Sequence, residues 1–200
     1  MTEALRPEPG QRRVTILGST GSVGRNTIDI VAREPQAYAV EALTAHGNAD
    51  LLIEQARLLK PRYVAIGNEG HYAKVKDALA GSGTEVAAGR AAVIEAAARP
   101  SDWVMSAIVG AAGLEPTLAA VKRGALIGLA NKETLVCAGA LVMREVARHK
   151  AVMLPVDSEH SAIFQVFERD HVDAIEKIIL TASGGPFRQR SVAEMAEMTP

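Results

Sequence analysis

Apolar and polar positions along the chain follow two alternating rhythms. Short runs dominated by branched and other apolar residues occur at 14–17, 39–45, 63–66, 85–87, 103–106, 126–129, 152–154 and 175–180. Between most of them lie longer stretches whose apolar residues recur every three or four positions. Examples are Val23, Thr27, Ile28, Ile30 and Val31 over 21–34, and Leu51, Leu52, Ile53, Ala56 and Leu59 over 50–59. Further stretches of this kind cover 72–79, 91–98, 115–122, 133–149 and 161–168. The first rhythm predicts strands buried on both faces, the second helices with one apolar stripe. Pro35 and Pro61 stop the first two helices, and Pro116 falls in a first turn, where a missing N–H leaves nothing unsatisfied.

Strand–helix alternation predicts an α/β protein: a doubly wound, mostly parallel, Rossmann-like sheet with helices on both faces. A division is expected near residue 150. After it come a polar loop, the run at 175–180, a Gly184-Gly185-Pro186 turn and a capping-box pattern from Ser191 to Glu194. Residues 14–150 are therefore read as a nucleotide-binding domain and 151–200 as the start of a second α/β catalytic domain, unfinished at Pro200. The polar, proline-bearing residues 1–13 are read as a flexible arm without the apolar core of a signal peptide. No internal repeat or low-complexity tract is present.

Composition narrows the function classes. The 200 residues are 48% hydrophobic and 22% charged with formal net charge -1, which suits a soluble globular protein and gives no basic surface for nucleic acid or membrane. The longest nearly apolar window, 103–114, is too short to span a bilayer. One cysteine, Cys137, excludes an intrachain disulfide and fits a cytoplasmic protein. Its apolar neighbours Leu135, Val136 and Ala138 predict a buried, structural thiol.

Chemistry concentrates at three places. The first is Gly18-Ser19-Thr20-Gly21-Ser22-Val23-Gly24, between the first strand and the first helix. Gly18 and Gly21 permit a tight turn and close approach to a pyrophosphate, and Gly24 permits close helix–strand packing. The free N–H groups of the helix start, with the Thr20 and Ser22 hydroxyls, then face the anion. NAD-binding units place a carboxylate at the end of the second strand for the ribose 2′-OH. Here that strand ends Thr44-Ala45-His46-Gly47-Asn48, with Glu41 too early and Asp50 too late. A 2′-phosphate would meet no like charge there and would meet His46 and the Gly47 and Asn48 amides, which favours NADPH.

The second place is Asn131-Lys132-Glu133, between a strand and the longest helix, at the carboxyl edge where ligands of open parallel sheets bind. Asn131 also suits a helix N-cap, and Lys132 an anion or carbonyl contact. The third is Asp157-Ser158-Glu159-His160. In an extended chain, Asp157 and Glu159 share one face with Cα atoms about 7 Å apart, hard oxygen ligands for Mg²⁺ or Mn²⁺. Equally, Asp157 could cap a helix whose first turn holds Glu159. Ser183 opens a glycine turn able to nest an anion.

Taken together, GSTGSVG at 18–24, AIVGAAGLEPTLAA at 107–120, LANKETLV at 129–136, LPVDSEHSAIFQ at 154–165 and LTASGGPF at 180–187 resemble the 1-deoxy-D-xylulose 5-phosphate reductoisomerase family from about Val14 to Pro200. The resemblance implies an NADPH- and divalent-metal-dependent enzyme. It would rearrange and reduce 1-deoxy-D-xylulose 5-phosphate to 2-C-methyl-D-erythritol 4-phosphate, a step of isoprenoid precursor biosynthesis, and act as a homodimer.

Carried over residue by residue, Thr20, Gly21, Ser22 and Val23 resemble the pyrophosphate loop. Gly47 and Asn48 resemble the surroundings of the 2′-phosphate, beside His46 where the family often has glycine. Asn131 and Glu133 resemble NADPH contacts. Lys132, Ser158, Glu159 and Ser183 resemble substrate contacts, Asp157 and Glu159 metal ligands, and His160 a structural neighbour. A third metal carboxylate and a lid lie later in that family's chain, so the 200 residues alone are expected to be inactive. Two other classes compete: a non-catalytic NADP-binding module, and an aldehyde dehydrogenase of the aspartate-semialdehyde type with Cys137 as nucleophile.

Overall fold

The computed structural model of the chain describes residues 10–180 and 185–199. Alternation of short strands and helices begins with β1 (Arg12–Leu17), α1 (Ser22–Arg33), β2 (Tyr38–Ala45), α2 (Ala49–Leu59) and β3 (Tyr63–Ile66). It continues through α3 (Tyr72–Ala78), β4 (Glu85–Ala88), α4 (Gly89–Ala98), β5 (Trp103–Ser106), α5 (Leu114–Lys122), β6 (Leu126–Leu129), α6 (Glu133–His149) and β7 (Val152–Pro155). Each apolar run up to 154 predicted as a strand is one.

The seven strands form one sheet in the order β4-β3-β2-β1-β5-β6-β7, and every pairing is parallel. Successive side chains of a strand point to opposite faces, so one strand feeds two cores. On one face Val14, Ile16, Leu43, Val64 and Ile66 meet Ile28 and Val31 of α1, Leu52 and Ile53 of α2 and Val75 of α3. On the other, Leu17, Ala42, Tyr63, Val104 and Ile127 meet Ala92, Ala96 and Ala97 of α4 and Ala120 and Val121 of α5. Alanine on the facing helices lets them lie close to the sheet. Winding reverses between β1 and β5, and the carboxyl ends of these two strands open a crevice at that switch point.

At mid-sheet, Glu41 of β2 is 2% exposed. A buried carboxylate is tolerable only when paired; Arg99 reaches it at 3.2 Å and Arg62 stands 3.6 Å away. The Arg99 guanidinium also lies 4.4 Å over the ring of Tyr63. Burial, with Glu95 beside it, pushes the Tyr63 phenol well above its ordinary value, so it stays neutral.

The first compact unit runs through Val156, since β7 completes the sheet, past the division expected near residue 150. A second unit, from Asp157, contains α7 (Ser158–Val166), short 3₁₀ turns and α8 (Val192–Ala196). The predicted capping box is present: Ser191 Oγ accepts from Glu194 N, and the Glu194 carboxylate accepts from Ser191 N at 2.7 Å. Two expectations need correction. Residues 175–180 are not a strand: no ladder partner meets them among the described residues, and Ile178, Ile179 and Leu180 are exposed. Cys137 is exposed rather than buried, because α6 buries only Thr134 and Val142, and the neighbouring Val136 is exposed with it. No described helix is long and apolar enough to cross a membrane.

Candidate functional site

The glycine loop sits at the carboxyl end of β1, and the backbone explains why glycine is needed. Gly18 has φ +78, and a Cβ there would lie 2.7 Å from Ala107 O, at the end of β5. A Cβ on Gly24 would lie 2.2 Å from Gly18 O and 2.7 Å from two backbone carbons of Ser19. α1 therefore starts in direct contact with the loop that precedes it. Its N-cap, Gly21, offers no side-chain bond, and its first turn holds no acid. The first N–H groups of α1 are left with the partial positive charge of the helix end and no internal acceptor.

The loop is held rigid from below. Ser19 N donates to Thr44 O at 2.8 Å and Gly18 N to Thr44 Oγ1 at 3.0 Å. The buried Ser19 hydroxyl donates to Gln55 Oε1 at 2.7 Å, while Gln55 Nε2 returns a bond to Ser19 O at 3.0 Å. Gln55 was missed by the sequence reading, although a glutamine on the apolar stripe of α2 beside Leu52 and Ala56 was the signal available. Above the loop, Thr20, Gly21, Thr44, His46, Ile108 and Glu115 help line a cleft of about 580 Å³. Its far wall carries Arg90 and Val93 of α4, also unforeseen. Arg90 and Glu115 form a bidentate pair, Nε–Oε2 2.6 Å and Nη2–Oε1 2.5 Å. The hydrogen bond to Arg90 holds the Glu115 carboxyl below its ordinary value, and Glu115 raises Arg90 in turn.

At the end of β2, His46, Gly47 and Asn48 are exposed. Gly67 approaches so closely that a Cβ would stand 2.8 Å from His46 Nδ1. The Asn48 side chain caps α2 by accepting from Leu51 N at 3.2 Å. The two nearby acids are engaged elsewhere: Glu41 with Arg99, and Asp50 with Lys74 at 2.6 Å.

Asn131 is 2% exposed and its side chain is committed to the fold. Its carboxamide donates to Ile108 O and, at 2.9 Å, to Gly110 O, while Oδ1 accepts from Thr134 N at 3.0 Å. Lys132 is the N-cap of α6, one residue past the capping position weighed for Asn131, yet Asn131 still serves the first-turn Thr134 N–H, and its side chain ties the 108–110 loop, whose Ile108 and Val109 line the cleft, to the start of α6. Gly113 makes room for it, since a Cβ there would lie 2.0 Å from Asn131 Nδ2. Lys132 is exposed and Glu133 half-buried at the first turn of α6. Cys137 does not line the cleft.

In the second unit, Asp157 is the N-cap of α7, in extended conformation, and Ser158 already begins the helix. The fully extended arrangement of Asp157 and Glu159 is therefore replaced by the capping one. Asp157 Oδ1 accepts from His160 N at 3.0 Å and meets His160 Nδ1 at 2.7 Å. Ser158 Oγ donates to Glu159 Oε2 at 2.9 Å. Among the described residues no group of three His, Cys, Asp or Glu gathers around one point. Ser183 lies outside the described residues.

An all-parallel doubly wound sheet, with a glycine loop at its switch point under an open cleft, defines a protein of the dinucleotide-binding α/β class. Comparison with known proteins is more specific. The family model for 1-deoxy-D-xylulose 5-phosphate reductoisomerase matches residues 14–139, and that for the C-terminal domain of the same enzyme matches 153–200. The chain belongs to the 1-deoxy-D-xylulose 5-phosphate reductoisomerase family. The reductoisomerase of Rhodospirillum centenum is 60% identical over 191 residues, 96% of this chain and 48% of that protein. That of Rhizobium rhizogenes is 57% identical over 192 residues, again 48% of its length. Among solved structures, the Zymomonas mobilis reductoisomerase in complex with NADPH superposes with TM-score 0.88 at 49% identity, over 96% of this chain and 50% of that one. A reductoisomerase in complex with NADPH, fosmidomycin and magnesium superposes with TM-score 0.84 at 39% identity, over 92% and 48%. The chain spans about half the length of the relatives it matches.

Proposed function

We propose that this chain carries the NADPH-binding unit and the opening of the catalytic unit of an enzyme converting 1-deoxy-D-xylulose 5-phosphate to 2-C-methyl-D-erythritol 4-phosphate. The observation that supports it most is the uncapped, acid-free start of α1 at the switch point, beneath the cleft. In this reading the amides of Thr20, Ser22 and Val23 bind the cofactor pyrophosphate, with the Thr20 and Ser22 hydroxyls as further donors, while Gly21, whose own N–H donates to Gly18 O at 3.1 Å, lets the backbone lie close to it. His46, Gly47 and Asn48 receive the adenosine end. The engagement of Glu41 and Asp50 away from that loop favours a 2′-phosphate over a bare 2′-OH. Asn131 and Glu133 contact NADPH by the family resemblance, Asn131 also holding the 108–110 loop and Glu133 opening α6.

NADPH, when bound, supplies the hydride for the reduction. The Asp157 and Glu159 carboxylates suit a divalent cation such as Mg²⁺, which takes one or two carboxylates and completes its shell from water and substrate oxygens. Such a cation would polarise the substrate's hydroxyl and carbonyl oxygens. Lys132 would stabilise charge on substrate oxygen, Ser158 would hold the substrate, and Ser183 its phosphate. Turnover by the 200 residues alone is not expected, because the family resemblance places a third metal carboxylate and a lid in the part of the relatives' length that these residues do not match. The homodimer rests on the family resemblance. Calorimetry of the chain with NADPH, NADH and Mn²⁺ tests the reading: NADPH should bind and NADH more weakly, whereas equal affinity or no heat with either would reject it.

A further inference from the structure

We infer that Arg90 reads the phosphate on the adenosine ribose and so sets the preference for NADPH over NADH. The inference rests on the nucleotide reading of the cleft and adds to it a residue on the wall opposite the His46-Gly47-Asn48 loop. That loop carries no permanent cation. The Oδ1 of its asparagine is engaged in the cap of α2, and the carboxamide brings no charge. A phosphate dianion placed there needs a fixed positive charge from elsewhere.

Arg90 supplies one. It is the only lysine or arginine lining the cleft among the described residues, and the same cleft is lined by His46 and Thr44. Gly89, at φ +88, turns the chain from β4 into α4 and sets Arg90 at the second position of the helix. α4 then crosses over β3, β2 and β1, so Arg90 starts two strands from the end of β2, about 10 Å at ordinary strand spacing. A long side chain can close much of that distance. Glu115 holds one edge of the fork, Nε and Nη2, across the cleft. The Nη1 amino group is left for a ligand, and a guanidinium suits planar, multidentate contact with phosphate oxygens. The pair leaves Arg90 79% exposed, so neither partner needs to be desolvated for the guanidinium to swing between carboxylate and phosphate.

The experiment compares adenosine 2′,5′-bisphosphate with 5′-AMP by calorimetry on the 200-residue chain, as wild type, Arg90→Ala and Arg90→Lys. Wild type should prefer the bisphosphate. Arg90→Ala should lower that preference about tenfold, as for one charge-assisted contact, with 5′-AMP affinity unchanged. Arg90→Lys should retain part of it. The thermal midpoint should not move, since the side chain is exposed. An unchanged preference in Arg90→Ala would overturn the inference. Equal weakening of both ligands would too, by placing the guanidinium on the shared 5′-phosphate. If wild type bound neither ligand, the cleft reading itself would fall, and this inference with it.

Discussion

Gly24→Ala is the sharpest test of how the glycine loop is built. The added Cβ would stand 2.2 Å from Gly18 O and 2.7 Å from Ser19 C and Cα. All three are backbone atoms of the loop that β1, Thr44 and Gln55 hold in place, so no flexible side chain can yield. Overpacking of this kind costs typically about 1–3 kcal/mol, and a backbone clash belongs at the upper end. Alanine gains about 1 kcal/mol over glycine in a helix interior, which offsets part of it. A net loss of about 2 kcal/mol is expected, or roughly 4–8 °C in thermal midpoint for a domain of this size.

Gly139 in α6 provides the control, because a Cβ there meets nothing nearer than Leu135 Cβ at 4.0 Å. Gly139→Ala should be neutral or stabilise by up to about 1 kcal/mol. Thermal and urea unfolding of both variants, with NADPH titrations alongside, reads the contrast. A Gly24→Ala chain as stable as wild type, with undiminished NADPH affinity, would refute the reasoning.

Two further outcomes follow from the same geometry. Asn131→Ala strips the half-buried Ile108 and Gly110 carbonyls of their shared donor, so urea unfolding should show a loss of about 1–2 kcal/mol and NADPH should bind more weakly; wild-type stability would contradict the clamp. The bonds from Ser191 N and Oγ, the backbone bond first, hold the Glu194 carboxyl below its ordinary value of about 4.3. A depressed folded-state pKa contributes stability that is fully present above the ordinary value and lost as pH falls through the depressed one. In an NMR titration the Ser191 amide should therefore keep its bonded shift at pH 5 and lose it only below the ordinary glutamate range; loss at higher pH would contradict the capping box.

Much of this was legible in the sequence because the signals were local. Strands such as Tyr63–Ile66 and Trp103–Ser106 announce themselves as short apolar runs, and Gly18 and Gly24 fall where a strand-to-helix turn requires them. What escaped depended on distant partners. Gln55 looks like any polar helix residue until Ser19, remote in sequence, meets it. Arg90 and Glu115 read as solvated charges until α4 and α5 bring their first turns to one cleft. The apolar stripe of α6 misled in the other direction. Periodicity says which face wants burial but not whether a partner is there, so Cys137 was expected inside and lies outside. Residues 175–180 have strand-like composition, yet composition cannot provide a ladder partner.

The central claim is that the start of α1 and the cleft above it hold the cofactor. A crystal structure of the chain soaked with NADPH tests it most directly. The account predicts density for the pyrophosphate against the Thr20, Ser22 and Val23 amides and the Gly21 backbone, with the adenosine reaching toward His46. Density for NADPH at any other surface, with the loop empty, would contradict it.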